Sequence, residues 1–301
     1  MAESGKIRTI KEAVAEVWDG AHISLSGFTI ARNAIATAHE LIRQNKKNLT
    51  LSACIAAMDA DLLVGAGAVK RYIYGGGSLD RFGPVHNINR AREQKTLEVD
   101  EFSGFSMAMR FLGGSLGLPF IPVQSLMGSD ILENLKKKEK PPVKETDCPF
   151  TGEKVVLLQT LKPDFSFIHV PKADREGNAI VNGPRWDEDA AKSAEKIIII
   201  ADEIIPTELT PFMAEEVRIP GCIVSAVVPQ PFGAHPTSLY GMYDYDREAL
   251  EEYVGFAKTP HGMQDYLDRY VRKVSGFDEY LELMGGLKKL TRLKADPLKK
   301  Y

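Results

Sequence analysis

Cysteine is scarce in this chain, and its three cysteines lie far apart. Cys54, Cys148 and Cys222 form no C-x-x-C pair and lie near no cluster of histidines. This spacing argues against a disulfide framework and against a structural zinc site. The sequence also lacks the G-x-x-x-x-G-K-[ST] and H-E-x-x-H motifs. Their absence argues against a P-loop and a zinc-protease helix.

Long apolar runs and an excess of one charge are missing as well. The densest apolar stretch, Ile197–Ala201, is strand-sized, far short of the ~20 residues that span a bilayer. The 38 basic and 41 acidic residues nearly cancel, to a net charge of −3, which argues against an electrostatic nucleic-acid binder. Met1–Lys6 is polar and has no apolar signal core. Together with the few cysteines, this predicts a cytoplasmic protein.

Strand-like and helix-like segments alternate along the chain. Short β-rich runs such as Leu49–Ile55, Val69–Tyr74 and Phe165–Val170 are separated by amphipathic helical stretches. Lys196–Ala201 contains four consecutive isoleucines, which is typical of a fully buried central strand. Repeated β-α units predict an α/β fold with an open, mostly parallel sheet and helices on both faces.

The pattern predicts a single domain over residues 1–301 with two distinct segments. Residues 135–151 contain a lysine run, Pro141-Pro142 and Cys148-Pro149, which favours an exposed flap over a core element. Residues 120–123 are predicted to form a short strand, and Pro119 and Pro122 place it near an edge or an irregular stretch. From Asp246 onward the chain is amphipathic and charged, so residues 246–301 are predicted to form a helical tail.

Two glycine-containing turns follow predicted strands. Ser26-Gly27-Phe28 comes after the first strand, and Gly75-Gly76-Gly77-Ser78 comes after the third. Open α/β sheets bind ligands at the carboxyl ends of their strands, where glycine lets free backbone N–H groups approach an oxyanion. A plain strand-to-helix turn explains the residues as well. If the turns are functional, we expect them at the ends of neighbouring strands, lining one cleft.

Asp100 and Glu101 precede a predicted helix that begins near Phe102. Carboxylates in that position can cap the helix and offset its dipole, which is the simpler interpretation. The alternative is a catalytic base at the ligand edge of the sheet. Two adjacent carboxylates that face one cleft repel each other, and the repulsion raises the proton affinity of one of them.

Several segments together carry a resemblance to a known family. The most specific is Pro231–Pro236, which is continued by Tyr240-Gly241 and Tyr243–Asp246. The others are Leu118–Val123, Pro149–Val156, Ala173–Asn178 and the Gly27-Phe28 turn followed by Arg32. From about Ile7 to about Leu293, the sequence resembles the A (α) subunits of family I CoA-transferases of the glutaconate type.

The resemblance implies an enzyme built from two related subunits, A and B, as (AB)2 or a higher assembly. In such transferases a glutamate attacks an acyl-CoA, forms an anhydride and then carries CoA as a glutamyl thioester. In the glutaconate type that glutamate lies on the B subunit. The CoA thioester is the substrate, and neither a tightly bound cofactor nor a metal is implied.

A chain of the A type would contribute the substrate pocket. By the same resemblance, the substrate-binding residues are Gly27, Phe28, Arg32, Gly76, Gly77 and Ser78. Arg32 is expected to hold the distal carboxylate of a dicarboxylic substrate, because a guanidinium binds a carboxylate bidentately.

Other relatives of this fold perform different chemistry on CoA thioesters. Ring-opening hydrolases of steroid breakdown resemble the chain at Lys70-Arg71, Ser78–Asp80 and the acidic pair, and there the glutamate of the A chain is catalytic. Another group decarboxylates a glutaconyl-type CoA ester. The alternatives to transfer are therefore a hydrolase or decarboxylase with Glu101 as the catalytic base, and a non-catalytic chain that scaffolds its partner.

Overall fold

The computed structural model describes residues 5–295, in which strands and helices alternate. The strands, in chain order, are β1 (His22–Leu25), β2 (Leu49–Ala53), β3 (Val69–Tyr74), β4 (Glu98–Glu101), β5 (Phe120–Val123), β6 (Val143–Asp147), β7 (Lys154–Gln159), β8 (Phe165–Asp174), β9 (Ala179–Ile180), β10 (Lys196–Ile205), β11 (Val217–Ile219) and β12 (Val224–Pro229). The α-helices are α1 (Ile10–Ala15), α2 (Ile35–Arg43), α3 (Met58–Gly65), α4 (His86–Glu93), α5 (Gly104–Ser115), α6 (Asp130–Lys136), α7 (Trp186–Ser193), α8 (Arg247–Ala257), α9 (Pro260–Leu267), α10 (Phe277–Leu283) and α11 (Gly286–Leu293). Among these described residues, no helix combines the length and the apolar character that a membrane span requires.

Nine of the strands in residues 5–295 form one mostly parallel sheet. The order β4-β3-β2-β1-β8-β10-β12 is parallel throughout. β9 pairs antiparallel with the far end of β8, and β11 pairs antiparallel with β9. The isoleucines Ile197–Ile200 are each at most 2% exposed, since β10 lies between β8 and β12. The predicted α/β fold and the buried isoleucine strand are confirmed.

Helices cover both faces of this sheet, and β3 shows how its residues divide between them. Tyr72 and Tyr74 belong to the core cluster that contains α2, α3 and the C-terminal helices. Ile73 belongs to a second cluster, with Phe102 and Phe111 of α5. Alternate side chains of a strand point to opposite faces, so each face of the sheet packs against its own apolar layer.

The segment predicted as an exposed flap contains a regular strand. β6 pairs antiparallel with β7, which also pairs with β5 in a separate three-stranded sheet. Val143 is 5% exposed and lies opposite Leu158, but the other four residues of β6 are exposed or partly exposed. The exposed flap over residues 135–151 stays a prediction. Pro141-Pro142 precedes the strand instead of interrupting it. The edge position predicted for Phe120–Val123 is confirmed.

The predicted C-terminal helices are present, and they form part of the core. Tyr253, Tyr266 and Tyr280 are each fully buried, in the same cluster as α2 and α3. Asp246 begins this region by accepting the Ala249 N–H at 3.1 Å, which caps α8. The helical prediction is confirmed up to α11, and residues 296–301 of the predicted tail lie outside the described residues.

Candidate functional site

The turn after β1 brings Gly27 against the segment that leads into α2. Gly27 has φ +114°, and a Cβ there would lie 2.4 Å from Asn33 Nδ2 and 2.9 Å from the Ala31 carbonyl oxygen. Only glycine fits such a position. The Gly27 N–H donates to Asp187 Oδ2 at 2.9 Å, and the Phe28 N–H donates to the Ala31 carbonyl at 2.9 Å. Neither N–H is therefore free to bind an oxyanion in this arrangement.

Arg32 is buried beside the same turn, at 1% exposure. Its Nη1 and Nη2 donate to Asp187 Oδ2 and Oδ1 at 3.0 and 2.9 Å, and Nη2 also donates to the Pro184 carbonyl. Asp187 thus binds both the guanidinium and the Gly27 N–H, which holds the turn in place. The geometry supports a positioning role for Arg32. Its predicted contact with a substrate carboxylate stays a prediction, and it would require Asp187 to release the guanidinium.

The turn after β3 offers the backbone donors that the β1 turn lacks. Gly75 leaves no room for a side chain, because a Cβ would lie 2.7 Å from Gly104 Cα. Within residues 5–295, the N–H groups of Gly76 and Gly77 have no hydrogen-bond acceptor. Ser78 follows them and is partly exposed. Two adjacent unpaired N–H groups suit a developing oxyanion, so the functional interpretation of this turn gains support.

The two turns lie at the same edge of the sheet, with one strand between them. β1 and β3 both pair in parallel with β2, so the prediction of neighbouring strands is wrong by that one strand. Ala56, after β2, links to the second turn: its N–H donates to the Gly76 carbonyl at 3.1 Å, and its carbonyl accepts the Ser78 N–H at 3.2 Å. A common cleft for Gly27 and the glycines after β3 stays a prediction.

The acidic pair lies on a strand, not at the start of a helix. Asp100 and Glu101 belong to β4, and α5 begins at Gly104. Ser103 caps α5 by accepting the Ser106 N–H at 3.1 Å, so the helix-cap interpretation of the acidic pair is wrong. Successive side chains on a strand point to opposite faces. The two carboxylates therefore do not face one cleft, and the predicted repulsion between them does not arise.

The surroundings of these two carboxylates differ. Asp100 is 2% exposed, and its oxygens lie 3.1 Å from Arg71 Nε and 3.1 Å from Lys138 Nζ. Burial acts to raise the pKa of Asp100, but hydrogen bonds from Arg71 and Lys138 outweigh it and lower the pKa. Glu101 is half-exposed, with Oε2 3.7 Å from Arg92 Nη2. Asp100 is therefore an ion-paired structural group, and Glu101 is the accessible carboxylate of the pair.

The segment around Pro231–Pro236 braces the Arg32 turn from the other side. The Arg32 N–H donates to the Ser238 carbonyl at 2.7 Å. His235 Nε2 lies 3.1 Å from Asp246 Oδ2, so the same segment also contacts the residue that caps α8. His235 is 1% exposed, and burial lowers its pKa. The segment is therefore a structural link: Ser238 contacts the β1 turn, and His235 contacts the C-terminal helices.

A known protein family matches most of this chain. Residues 7–230 fit the family model described as Coenzyme A transferase. The chain belongs to the Coenzyme A transferase family. The resemblance found in the sequence is thereby confirmed, together with the open α/β fold that it implied.

Three relatives show how far the similarity extends. The A subunit of glutaconate CoA-transferase from Acidaminococcus fermentans is 34% identical over 97% of this chain and 95% of its own. The crystal structure of that enzyme matches with a TM-score of 0.91, over 97% of this chain and 96% of the matched chain. The A subunit of 3-oxoadipate CoA-transferase from Pseudomonas knackmussii is 33% identical over 91% of this chain and 96% of its own. An uncharacterised protein of Archaeoglobus fulgidus is 32% identical over 96% of this chain, which spans 64% of that protein's length.

Asp187 is the site residue of this CoA-transferase chain that the sequence analysis missed. It lies 155 residues after Arg32, among the acidic residues of the first turn of α7. Favourable interaction with the helix dipole is enough to explain acidic residues there. A buried arginine usually has an anionic partner, but the sequence contains 41 acidic residues. Only the packing of α7 beneath the β1 turn selects this one.

Proposed function

We propose that the chain is the A subunit of a two-subunit CoA-transferase of the glutaconate type, which moves CoA between short dicarboxylic acids. One observation carries the proposal: the chain matches the A subunit of the A. fermentans glutaconate CoA-transferase over nearly the whole of both chains. The B subunit, on a separate chain, supplies the nucleophilic glutamate. One A pairs with one B, as (AB)2 or a higher assembly, in the cytoplasm.

The proposed reaction passes through the glutamate of the B subunit. Its carboxylate attacks the carbonyl carbon of the acyl-CoA, the C–S bond breaks, and CoA leaves as the thiolate while an anhydride forms. The thiolate then attacks the glutamyl carbonyl, which releases the acyl group as a carboxylate and leaves CoA on the glutamate. A second carboxylic acid takes up the CoA by the reverse of these two steps. Each attack places negative charge on a carbonyl oxygen.

The A subunit contributes the carboxyl edge of its sheet to this site. The unpaired N–H groups of Gly76 and Gly77 are the donors proposed for the developing oxyanion, for which one such donor is worth about 10²–10³ in rate. Ser78 and the Gly27-Phe28 turn shape the acyl pocket, and the pair of Arg32 with Asp187 holds that turn in position. The CoA thioester takes part as substrate.

Glu101 distinguishes transfer from the alternative hydrolase or decarboxylase. In a transferase, Glu101 only shapes the site, because the partner's glutamate performs the covalent chemistry. In the alternatives, Glu101 is the base, and its loss removes the reaction. Its half-exposed position beside Arg92 favours the shaping role. Glu98 lies on the same strand and is 62% exposed in its side chain, so it offers a matched control.

The test is reconstitution with the B subunit, followed by substitution in the A chain. The isolated chain should show no CoA transfer to glutaconate, and co-expression with B should restore it with a CoA adduct detectable on B by mass spectrometry. Glu101→Gln should slow turnover modestly with the adduct still forming, while Glu98→Gln should leave the rate unchanged. Robust transfer by the isolated chain contradicts the proposal. A loss of orders of magnitude in Glu101→Gln, with no adduct in the parent complex, supports the alternatives.

A further inference from the structure

A polar cavity lies beneath α5, away from the carboxyl edge of the sheet. It has a volume of about 560 Å³, within the usual range of small-molecule sites, about 300–1,000 Å³. Its walls come from the first residues of β1 and β2, the side of β3 that faces α5, the middle of α5, the end of β7, the residue before β6 and the loops that follow α5 and β7. Its polar lining includes His22, Arg71, Arg110 and Lys162. The cavity starts at the amino end of β1, whereas the Gly27 turn follows the carboxyl end of the same strand.

Arg110 is the unusual member of this lining. It is 3% exposed, and its Nε donates to the Gln159 carbonyl at 2.7 Å. The centre of its guanidinium lies 4.2 Å from the centroid of the Phe102 ring. Nη1 is buried without any hydrogen-bond partner, and within residues 5–295 neither Nη1 nor Nη2 forms a hydrogen bond or an ion pair. Buried charges in proteins are normally paired, so this half of the guanidinium lacks its usual partner.

The neighbouring groups leave the cavity positive. Arg71 is paired with Asp100, whereas Arg110 has no such partner. Burial lowers the pKa of Arg110 to about 9, so the group is still a cation at neutral pH. Burial first, and then the charges of Arg110 and Arg71, lower the pKa of His22 to about 4, so His22 is neutral there. No carboxylate of the described residues balances Arg110 within ion-pair distance.

We propose that this cavity binds a small organic anion whose carboxylate or phosphate group accepts hydrogen bonds from Nη2 of Arg110 and balances the charge of its guanidinium. Arginine suits the recognition of either anionic group. The apolar part of the lining, which includes Ile73, Leu118 and Leu161, receives the carbon portion of the ligand. Lys162 is exposed at the rim and adds a favourable field for an entering anion.

The full-length chain tests this proposal with fluorinated probes followed by ¹⁹F NMR. 4-Fluorobenzoate and 4-fluorophenyl phosphate carry the two anionic groups, and 4-fluorobenzamide is a neutral probe of similar size. At least one anion should bind saturably, and the amide should not. Arg110→Met should weaken the binding at least tenfold. Arg247→Met should leave it unchanged, because Arg247 is 75% exposed in its side chain and pairs with Glu251.

A second variant keeps Arg110 and fills the space instead. Leu118 lines the cavity and is 39% exposed, so Leu118→Trp should narrow the opening without disturbing the core. It should weaken binding of the same anion, with a melting temperature close to that of the parent chain. The preferred probe identifies the anionic group. Absence of saturable binding by both anions, or equal affinity in the parent chain and Arg110→Met, overturns the proposal.

Discussion

Arg32 and Arg110 are both almost completely buried, at 1% and 3% exposure, but their surroundings differ. Arg32 donates two hydrogen bonds to Asp187 and one each to the Pro184 and His169 carbonyls, and only its Nε has no partner among the described residues. Arg110 lines a cavity and donates one hydrogen bond, from Nε, whereas its buried Nη1 has no partner. Burial by itself therefore does not tell the role of an arginine. The role is indicated by the groups that accept hydrogen bonds from the guanidinium nitrogens.

The difference has an energetic meaning. A buried arginine with a bidentate carboxylate partner stabilises one local arrangement, and loss of either partner leaves an uncompensated charge. A buried arginine without a partner carries an unfavourable desolvation term in the unliganded chain. Departures of this kind from the usual rules concentrate at functional sites. The charge of Arg32 is thus balanced within the chain by Asp187, whereas no carboxylate of the described residues forms an ion pair with Arg110.

Among the substitutions that test this comparison, Asp187→Asn should cause the largest loss of stability. The change removes the charge that balances Arg32 and weakens the acceptor of the Gly27 N–H. We expect the free energy of unfolding to fall by about 3–5 kcal/mol, measured by chemical denaturation. Asp189→Asn, in the same helix, is the matched control and should change stability much less. The double variant Arg32→Met/Asp187→Leu should recover part of the loss, because it removes both charges together.

Equal losses for the substitutions at positions 187 and 189 would contradict the special role of the Arg32 pair. The same role would be contradicted if the double variant lost as much stability as Arg32→Met and Asp187→Leu lose in sum. A recovery in the double variant, accompanied by reduced transfer in the A–B complex, would support the positioning role of Arg32, since the apolar pair cannot hold the Gly27 N–H.

Arg110→Met should destabilise the unliganded chain less than Asp187→Asn does. It removes one hydrogen bond, from Nε to Gln159, and leaves no carboxylate unpaired. We expect the free energy of unfolding to change by about 1 kcal/mol, measured under the same denaturation conditions. A loss as large as that of Asp187→Asn would show that Arg110 has an internal partner and would weaken the case for an anion site.

The smallest expected effect is a local one, a change in the pKa of His22. Burial, Arg110 and Arg71 hold its pKa at about 4, below the usual histidine value of 6.5. The unfolded chain therefore binds more protons between these two values, and this group's contribution to stability falls as the pH drops from about 6.5 to about 4. In Arg110→Met, one repelling charge is gone, so an NMR titration of the imidazole should show a higher pKa. Arg247→Met should leave the titration unchanged, and an unshifted His22 in Arg110→Met would contradict the positive field.

Local sequence patterns predicted the fold class and placed both glycine turns at one edge of the sheet. Ile197–Ile200 could be assigned to a central strand because burial on both faces excludes polar residues. The glycines after β1 and β3 could be assigned to one edge because parallel strands end on the same side. The polar strand β6 was missed, since Lys144 and Glu145 alternate with no apolar pattern, and its pairing with β7 is what makes it a strand.

The sequence by itself determined the α/β architecture and the family, since hydrophobic periodicity and contiguous motifs are local properties of the chain. Only the tertiary structure decided which charges meet. It paired Arg32 with Asp187 across 155 positions, separated Asp100 from Glu101 by the alternation of a strand, and left Arg110 beside a cavity. Periodicity indicates which face of an element is buried, but a charge finds its partner through long-range packing, and 41 acidic residues offer too many choices.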